Sequence, residues 1–405
     1  MGKKKKGQNK YKSSSGFESL DKIKGNLPSY QPDNKRKHHQ SDDKRKHHQP
    51  YKRHDNLKNY YPLPDDVNQI LLKNNYKIDN ISLLISRFVP HSSDWKIEKK
   101  EVWQGKDGIE EKANQLIKKD GAKDFLIRHQ NLVKSLKTIH GEDQVVEIIA
   151  QTVSNLSIGF GNVTPMETGI TLNRLYGLPC IPATSIKGTC RSYKLENMAY
   201  KINIPILNPD QINEIKTNKE LKKNKINKTP YELLEDKILA FHKIKDIDTC
   251  TTDFWKNVNF NISKIEKKPK TPQTISLEKI QSDALDFIRI FGTQDSEGAI
   301  CFYDSYPIVE SLQKKIFKLD IINVHFQKYY DGKEPPADYL SPVPNYFLTI
   351  SPEIKFRFIL VARDKKYSYL LKQASNWLKK ALTESGIGSK TAVGYGEMKI
   401  VTLIQ

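Results

Sequence analysis

One glycine-rich stretch near the end of the chain combines the residue types that bind a phosphate. Its candidate ligands are Gly386, Gly388, Ser389, Lys390, Thr391 and Gly394. Glycines accept positive φ and lack a Cβ, so they allow backbone N–H groups to converge on an anion, and the lysine adds positive charge. The spacing excludes a Walker A loop, because Ser389 separates Gly388 from Lys390 and a predicted strand follows. The alternative is a tight connection whose glycines serve turn geometry alone.

A second group of candidate phosphate ligands lies at the predicted start of a helix. Its members are Thr184, Ser185, Lys187, Gly188, Arg191 and Lys194. The preceding prolines predict an extended approach, after which Thr184 or Ser185 caps a helix that reaches towards Tyr200. A helix start offers unpaired N–H groups to an anion, and the basic residues fall at i, i+4 and i+7, on one stripe. The alternative is a solvated helix face with an ordinary cap.

The segments around these motifs predict a mixture of helices and strands. Apolar residues recur on one helical face from Tyr369 to Leu382, and residues Met398 to Ile404 predict a closing strand. The clearest strand is Lys355 to Ala362, where apolar and basic residues alternate before the run becomes fully apolar. Two further stretches, Phe125 to Leu136 and Asp143 to Ala150, read as helices.

The charge balance indicates a polyanionic partner. The chain of 405 residues has a formal net charge of +20, and residues 1–60 hold 17 Lys or Arg against 6 acidic residues. The rest of the chain is therefore basic as well, which favours nucleic acid as the partner. The four cysteines form no C-x-x-C pair and suggest neither a zinc site nor a disulfide framework. With no apolar run long enough for a membrane span, we expect a cytoplasmic protein without a cofactor or metal.

Composition also divides the chain. Residues 1–62 are polar and basic, contain a nine-residue repeat, and are expected to form a disordered tail. Residues 63–150 are expected to be a helical N-terminal elaboration, and residues 151–405 the main domain. Within that domain, residues 201–285 alternate short helical pieces with Lys- and Asn-rich connectors, which predicts a long insertion.

Four stretches together resemble the RAMP superfamily of CRISPR effector proteins, and within it the family of the sixth subunit of the Cmr (type III-B) complex. They are Gly177 to Arg191; Phe291 to Thr293 with Gly298 and Tyr303 to Pro307; His325 with Tyr329 to Gly332 and Pro342 to Pro344; and Gly386 to Gly396. The first is similar to the superfamily pattern G-x-P-x-I-P-x-S-S-x-K-G-x-x-R, with Thr184 in place of the first serine. The resemblance runs from about residue 150 to the end of the chain.

The resemblance implies an α+β fold with an RRM-like (ferredoxin-like) β-α-β-β-α-β core whose first strand lies near Val153 to Gly159. It also implies a non-catalytic scaffold that holds crRNA by its phosphates, near the 3′ end of the filament, beside other Cmr subunits and with target RNA as a further partner. Both candidate phosphate sites agree with such a role, since a complex that accepts any guide reads charge and shape.

Catalysis is the competing interpretation, because some RAMP relatives cleave RNA through a histidine or an aspartate. The candidate residues are His91, His129, His140, His242 and His325, with Asp295 and Asp304 as isolated loop acids. Their positions in the sequence show no paired arrangement, so the scaffold is the preferred hypothesis. A free-standing RRM-type regulator is disfavoured, because the chain lacks the aromatic RNP signature.

Overall fold

The computed structural model describes residues 61, 63–74, 77–89, 91, 97, 102–103, 108–201, 230–241, 277–324, 332, 335 and 343–401. The predictions for residues 1–60 and for most of the insertion at 201–285 lie outside the described residues. His242 and His325 lie outside them as well.

The described elements are a mixture of helices and strands. The helices are α1 (Asp65–Lys73), α2 (Ile81–Ser86), α3 (Ile109–Leu116), α4 (Asp120–His140), α5 (Ala183–Lys201), α6 (Pro230–Phe241), α7 (Leu277–Phe291) and α8 (Ser368–Lys380). The strands are β1 (Val145–Thr152), β2 (Ile300–Phe302), β3 (Tyr306–Pro307), β4 (Phe317–Val324), β5 (Val343–Ile350), β6 (Lys355–Ala362) and β7 (Met398–Val401). The predicted α+β class is confirmed.

The strand β1 corrects one prediction. Residues 143–150 were expected to be helical, but β1 covers Val145–Thr152 and lies between β6 and β7 in the sheet. Its apolar residues lie on both faces of the strand, and Val145, Ile148 and Ile149 fall at i, i+3 and i+4, the spacing of a helix face. The first strand of the core was predicted near Val153 to Gly159, but that segment holds only isolated bridges at Leu156 and Ser157, and β1 precedes it.

The main sheet is antiparallel and has the order β2–β6–β1–β7, with β3 also paired to β6. One face, which includes Phe358 and Leu360, shares a core with α5, α7 and α8. The opposite face, which includes Ile359 and Val361, packs against Val133 of α4. The alternation along β6 thus places α4 on one side of the sheet and α5 with α8 on the other.

A separate two-stranded ribbon consists of β4 and β5, which pair from Phe317↔Ile350 to Val324↔Val343. It is attached to the segment after β1, because Leu156 and Ile350 exchange two backbone hydrogen bonds of 2.9 and 2.8 Å. Asn114 of α3 fixes its other strand by bonding both the N–H and the C=O of Phe317. These contacts place β5 beside the glycine-rich segment.

Candidate nucleic-acid interface

The start of α5 is capped from a distant part of the chain. The carboxylate of Asp304 accepts a hydrogen bond of 2.7 Å from the N–H of Ala183, the first helical residue. The prediction that Thr184 or Ser185 caps this helix is therefore wrong, because the helix begins at Ala183 and both residues lie within its first turn. One backbone donor of the predicted anion site is already occupied. Among the described residues, the N–H groups of Thr184 and Ser185 have no acceptor.

Lys187 is the least neutralised cation on α5. Its side chain is half-buried, and within the described part of the chain it has neither a hydrogen bond nor an ion pair. Burial lowers the pKa of Lys187, and the positive charges of Arg191 and Arg363 lower it further. The charge of Glu297 opposes this shift. Lys187 thus lies within reach of the charges of two other cations, and an anionic ligand would favour its charged form.

Arg191 has partners within the protein. Its guanidinium forms an ion pair with Glu235 of α6 and lies 5.4 Å from the centre of the Phe287 ring. The side chain remains 36% exposed, so part of its donor set faces solvent. Arg191 thus contributes to packing as well as to the positive surface.

Lys194 corrects the predicted basic stripe. Its side chain is 4% exposed, its Nζ lies 2.7 Å from Asp283 Oδ2, and it lies 4.4 Å from the centre of the Trp377 ring. Lys194 therefore joins α5 to α7 and α8 and cannot reach a ligand on the surface. The predicted phosphate-binding role of this residue is wrong.

Gly188 leaves the backbone of α5 open beside Lys187. A Cβ built on this glycine has no neighbouring atom within 4 Å, and the residue is exposed. Glycine inside a helix costs roughly 0.5–1 kcal/mol relative to alanine. The packing of the described residues does not require a glycine at this position. The open backbone therefore suits the close approach of a partner.

Arg363 belongs to the same cation cluster, and the sequence analysis missed it. Its Nε donates to the carbonyl of Gly298 over 2.8 Å, and its Nη2 lies 2.6 Å from the carboxylate of Glu297. It directly follows β6, the strand that the sequence predicts most clearly. That position, a charged residue at the end of a buried strand, is the signal that could have identified it.

The glycines of the closing loop mainly serve contacts within the protein. Gly388 has φ 103°, and a Cβ there would collide with the carbonyl of Ser157. The loop pairs with the segment after β1, since Ser389 donates to Ser157 over 2.7 Å and Gly396 donates to Asn155 over 2.9 Å. Gly386 ends the preceding helical turn at φ 72°. At Gly386 and Gly388, the group that approaches closely is therefore the protein's own backbone and not a ligand.

Lys390 presents its ammonium group to three aromatic rings. Its Nζ lies 5.7 Å from the centre of Phe160, 5.1 Å from that of Phe347 and 5.4 Å from that of Tyr395. Tyr395 is held in place by a 2.7 Å hydrogen bond to Asp320. Within the described residues the lysine has no carboxylate partner, and its contacts are cation–π contacts with the three rings.

The open rim of this loop is the turn Thr391–Val393, which follows Lys390 and ends at Gly394. The N–H groups of Lys390, Thr391 and Ala392 find no acceptor among the described residues. Gly394 has φ 89°, and the space around its Cβ position is empty. The rim therefore offers backbone donors next to a fixed cation, which suits an anionic group.

Of the candidate catalytic residues, His129 and Asp304 hold structural positions. His129 is 7% exposed, and its ring lies 5.1 Å from that of Tyr306. Burial, followed by the charge of Arg357, lowers the pKa of His129 to about 4. Asp304 caps α5, and Asp295 is exposed on its loop.

No group of three or more His, Cys, Asp or Glu residues with metal-binding geometry occurs in the described ranges. None of the helices described there is long and apolar enough to cross a bilayer.

The sequence profile of the RAMP superfamily matches residues 149–399, the part of the chain that holds both candidate surfaces. The chain belongs to the RAMP superfamily. A curated relative, the CRISPR system Cmr subunit Cmr6 of Pyrococcus furiosus, is 30% identical over 307 residues, which cover 75% of this chain and 78% of the relative. The Cmr6 of Saccharolobus solfataricus is 31% identical over 110 residues, or 27% of this chain and 35% of that protein. The chain is thus a Cmr6-like RAMP protein, and the resemblance seen in the motifs is confirmed.

Two solved structures were also compared with the chain. The crystal structure of Cmr6 from Pyrococcus furiosus matches with 30% identity and a TM-score of 0.33, over 64% of this chain and 98% of that one. A cryo-EM structure of the type III-B Cmr-beta complex bound to cognate target RNA contains a chain that matches with 19% identity and a TM-score of 0.39, over 72% of this chain and 71% of that one.

Proposed function

We propose that this protein is a non-catalytic RNA-binding subunit of a type III-B CRISPR (Cmr) effector complex. In this role it holds crRNA by its phosphate backbone near the 3′ end of the filament, in antiviral defence. Its partners are crRNA and the other Cmr subunits, and target RNA is a further partner. The names of its Cmr6 relatives support the assignment to the complex.

The observation that carries the RNA-binding role is the state of Lys187. Lys187 is half-buried beside two arginines and has no hydrogen bond or ion pair of its own among the described residues, with the charge of Glu297 opposing theirs, so a phosphate there would add favourable negative charge. The exposed Gly188 allows a backbone to come close to the same place. We assign Lys187, Gly188, Arg191 and Arg363 to one phosphate-binding surface, the helix surface, with Thr184 and Ser185 at its edge.

The rim from Lys390 to Gly394 is proposed as a second phosphate-binding surface, the loop surface. Both surfaces offer charge and backbone donors, which suits recognition that is independent of sequence. The order β2–β6–β1–β7, with α5 and α8 on one face, supports an RRM-like core as the scaffold of the two surfaces. We also propose a cytoplasmic location, which agrees with the free state of Cys180, Cys190 and Cys301.

Cleavage of RNA is the alternative, and the described residues do not favour it. A general base must reach the substrate, whereas His129 is buried among aromatic rings and Asp304 bonds the start of α5. We therefore assign no catalytic residue. Incubation of the full chain with labelled RNA and Mg²⁺ or Mn²⁺ tests this directly, and we expect intact RNA.

Co-expression with the other Cmr subunits tests the assignment to the complex. We expect the tagged chain to purify with those subunits and with RNAs that share one repeat-derived end and differ in guide sequence. Purification of the chain alone, or with RNA of random origin, would contradict the proposal.

A further inference from the structure

A cleft of about 320 Å³ adjoins the helix surface. It lies between the end of α7, the loop 292–299 and the residues that follow β6. The lining residues that matter for its chemistry are Leu285, Ile288, Arg289, Ser296, Arg363 and Tyr367. Arg363 is common to the cleft and to the cation cluster around Lys187. The cleft is of the size that holds one small ligand.

The lining of the cleft combines apolar and cationic side chains. Leu285 and Ile288 supply aliphatic surface, and the half-buried Tyr367 supplies an aromatic ring. Arg289 uses Nη1 to donate to the hydroxyl of Tyr369 over 3.1 Å, and Arg363 uses Nε and Nη2 within the protein. A guanidinium has five N–H donors, so both arginines keep donors for a ligand.

The one carboxylate that lines the cleft is held weakly. The side chain of Glu297 is 73% exposed, and surface ion pairs of this kind contribute little to stability. A phosphate, which binds a guanidinium through two parallel hydrogen bonds, can therefore take the place of Glu297 at Arg363. Next to the cleft, the Nζ of Lys366 lies 4.9 Å from the centre of the Tyr367 ring and 3.2 Å from Oδ2 of Asp364.

We propose that this cleft receives one unstacked nucleotide of the bound RNA. The base packs against Tyr367 and the aliphatic wall, and its phosphate binds Arg289 and Arg363. The inference rests on the proposed RNA-binding function and adds a site that holds a base. Stacking on an aromatic ring accepts every base, so the cleft can fix the position of one nucleotide without reading its sequence.

The test uses the full chain and a set of single-stranded RNAs that each carry one 4-thiouridine at a different position. After irradiation, mass spectrometry maps the cross-linked peptide. We expect one position in the RNA to cross-link to Tyr367. Ser296→Trp should fill the mouth of the cleft without changing the core, because Ser296 is exposed. Gln294→Trp is the matched control, since Gln294 is exposed on the same loop but does not line the cleft.

We expect Ser296→Trp to abolish the Tyr367 cross-link and to weaken RNA binding by about fivefold or more, the loss typical of one stacked base. Gln294→Trp should retain both. Arg289→Gln gives an independent measurement and should reduce the cross-link, whereas Lys279→Gln on the same helix should not. An unchanged cross-link in both Ser296→Trp and Arg289→Gln would overturn the proposal.

The result for the parent protein separates the two proposals. RNA binding without any cross-link to residues 285–299 or 363–367 overturns the cleft alone. Absence of RNA binding overturns the proposed function and the cleft together.

Discussion

The Nζ of Lys194 lies 2.7 Å from Oδ2 of Asp283, and this ion pair joins α5 to α7 beneath the surface. Burial lowers the pKa of Lys194, and the Asp283 carboxylate opposes that shift. Lys187 lies two turns earlier on the same helix but has no such partner among the described residues. The two lysines therefore have different roles, one in stability and one in binding.

Lys194→Ala should lower the free energy of unfolding by roughly 2–4 kcal/mol, because the change leaves a carboxylate without its main partner. The loss should stay below that for a fully isolated charge, since Lys201 Nζ remains 3.4 Å from Asp283. Urea unfolding measures it, with Lys187→Ala as the control that we expect to change stability by less than about 1 kcal/mol. Equal losses in the two variants would contradict the division of roles.

Gly188→Ala should separate folding from binding. Alanine removes the entropic cost of glycine within α5, so the free energy of unfolding should rise by about 0.5–1 kcal/mol. The added methyl group faces open space, where it should hinder the approach of RNA and weaken binding. Gly121→Ala on α4 is the control, because its Cβ would make an ordinary 3.9 Å contact on another helix. If Gly188→Ala binds RNA as tightly as the parent protein, the open backbone has no role in binding.

Lys390→Gly tests the loop surface without straining it, because Lys390 has φ 63° and glycine accepts that angle. The variant loses the contacts with the three aromatic rings, so we expect a stability loss of about 0.5–1 kcal/mol. RNA binding should weaken for every sequence alike, and the slope of log K against log salt should flatten by about 0.7. An unchanged slope would mean that the loop is only a turn.

His129 should make the protein sensitive to acid. Burial and the charge of Arg357 lower its pKa to about 4, below the value near 6.5 of an unfolded chain. The unfolded state then binds the proton first, so the stabilising contribution is complete above about pH 6.5 and is lost as the pH falls towards 4. The loss at pH 4 should be on the order of 3 kcal/mol, and His129→Leu should remove it. The same acid dependence in both proteins would contradict this explanation.

The sequence predicted correctly those elements in which the apolar residues follow a clear strand or helix period. The alternation of Lys355–Ala362 was sufficient for β6, and the apolar face of α8 was visible at helical spacing. The pattern failed for β1, because Val145, Ile148 and Ile149 fall at i, i+3 and i+4, which is also the spacing of an apolar helix face.

The candidate site was predicted less completely, since its details depend on distant contacts. Helical spacing placed Lys194 on the basic stripe, but its burial depends on Asp283 and Trp377. The cap of α5 comes from Asp304, which is 121 residues away from Ala183. Arg363 joins Lys187 only through the packing of the sheet against α5. Periodicity along the chain records none of these relationships.

The salt dependence of RNA binding by Lys187→Gln tests the central claim most directly. Lys134→Gln is the matched control, because Lys134 is an exposed lysine of α4, on the opposite side of the sheet. Both variants lose one charge, so a general effect of net charge should appear equally in both. If Lys187 contacts a phosphate, its variant alone should flatten the slope of log K against log salt by about 0.7. The same slope in the parent protein and in both variants would contradict the assignment of α5 as the surface that holds RNA.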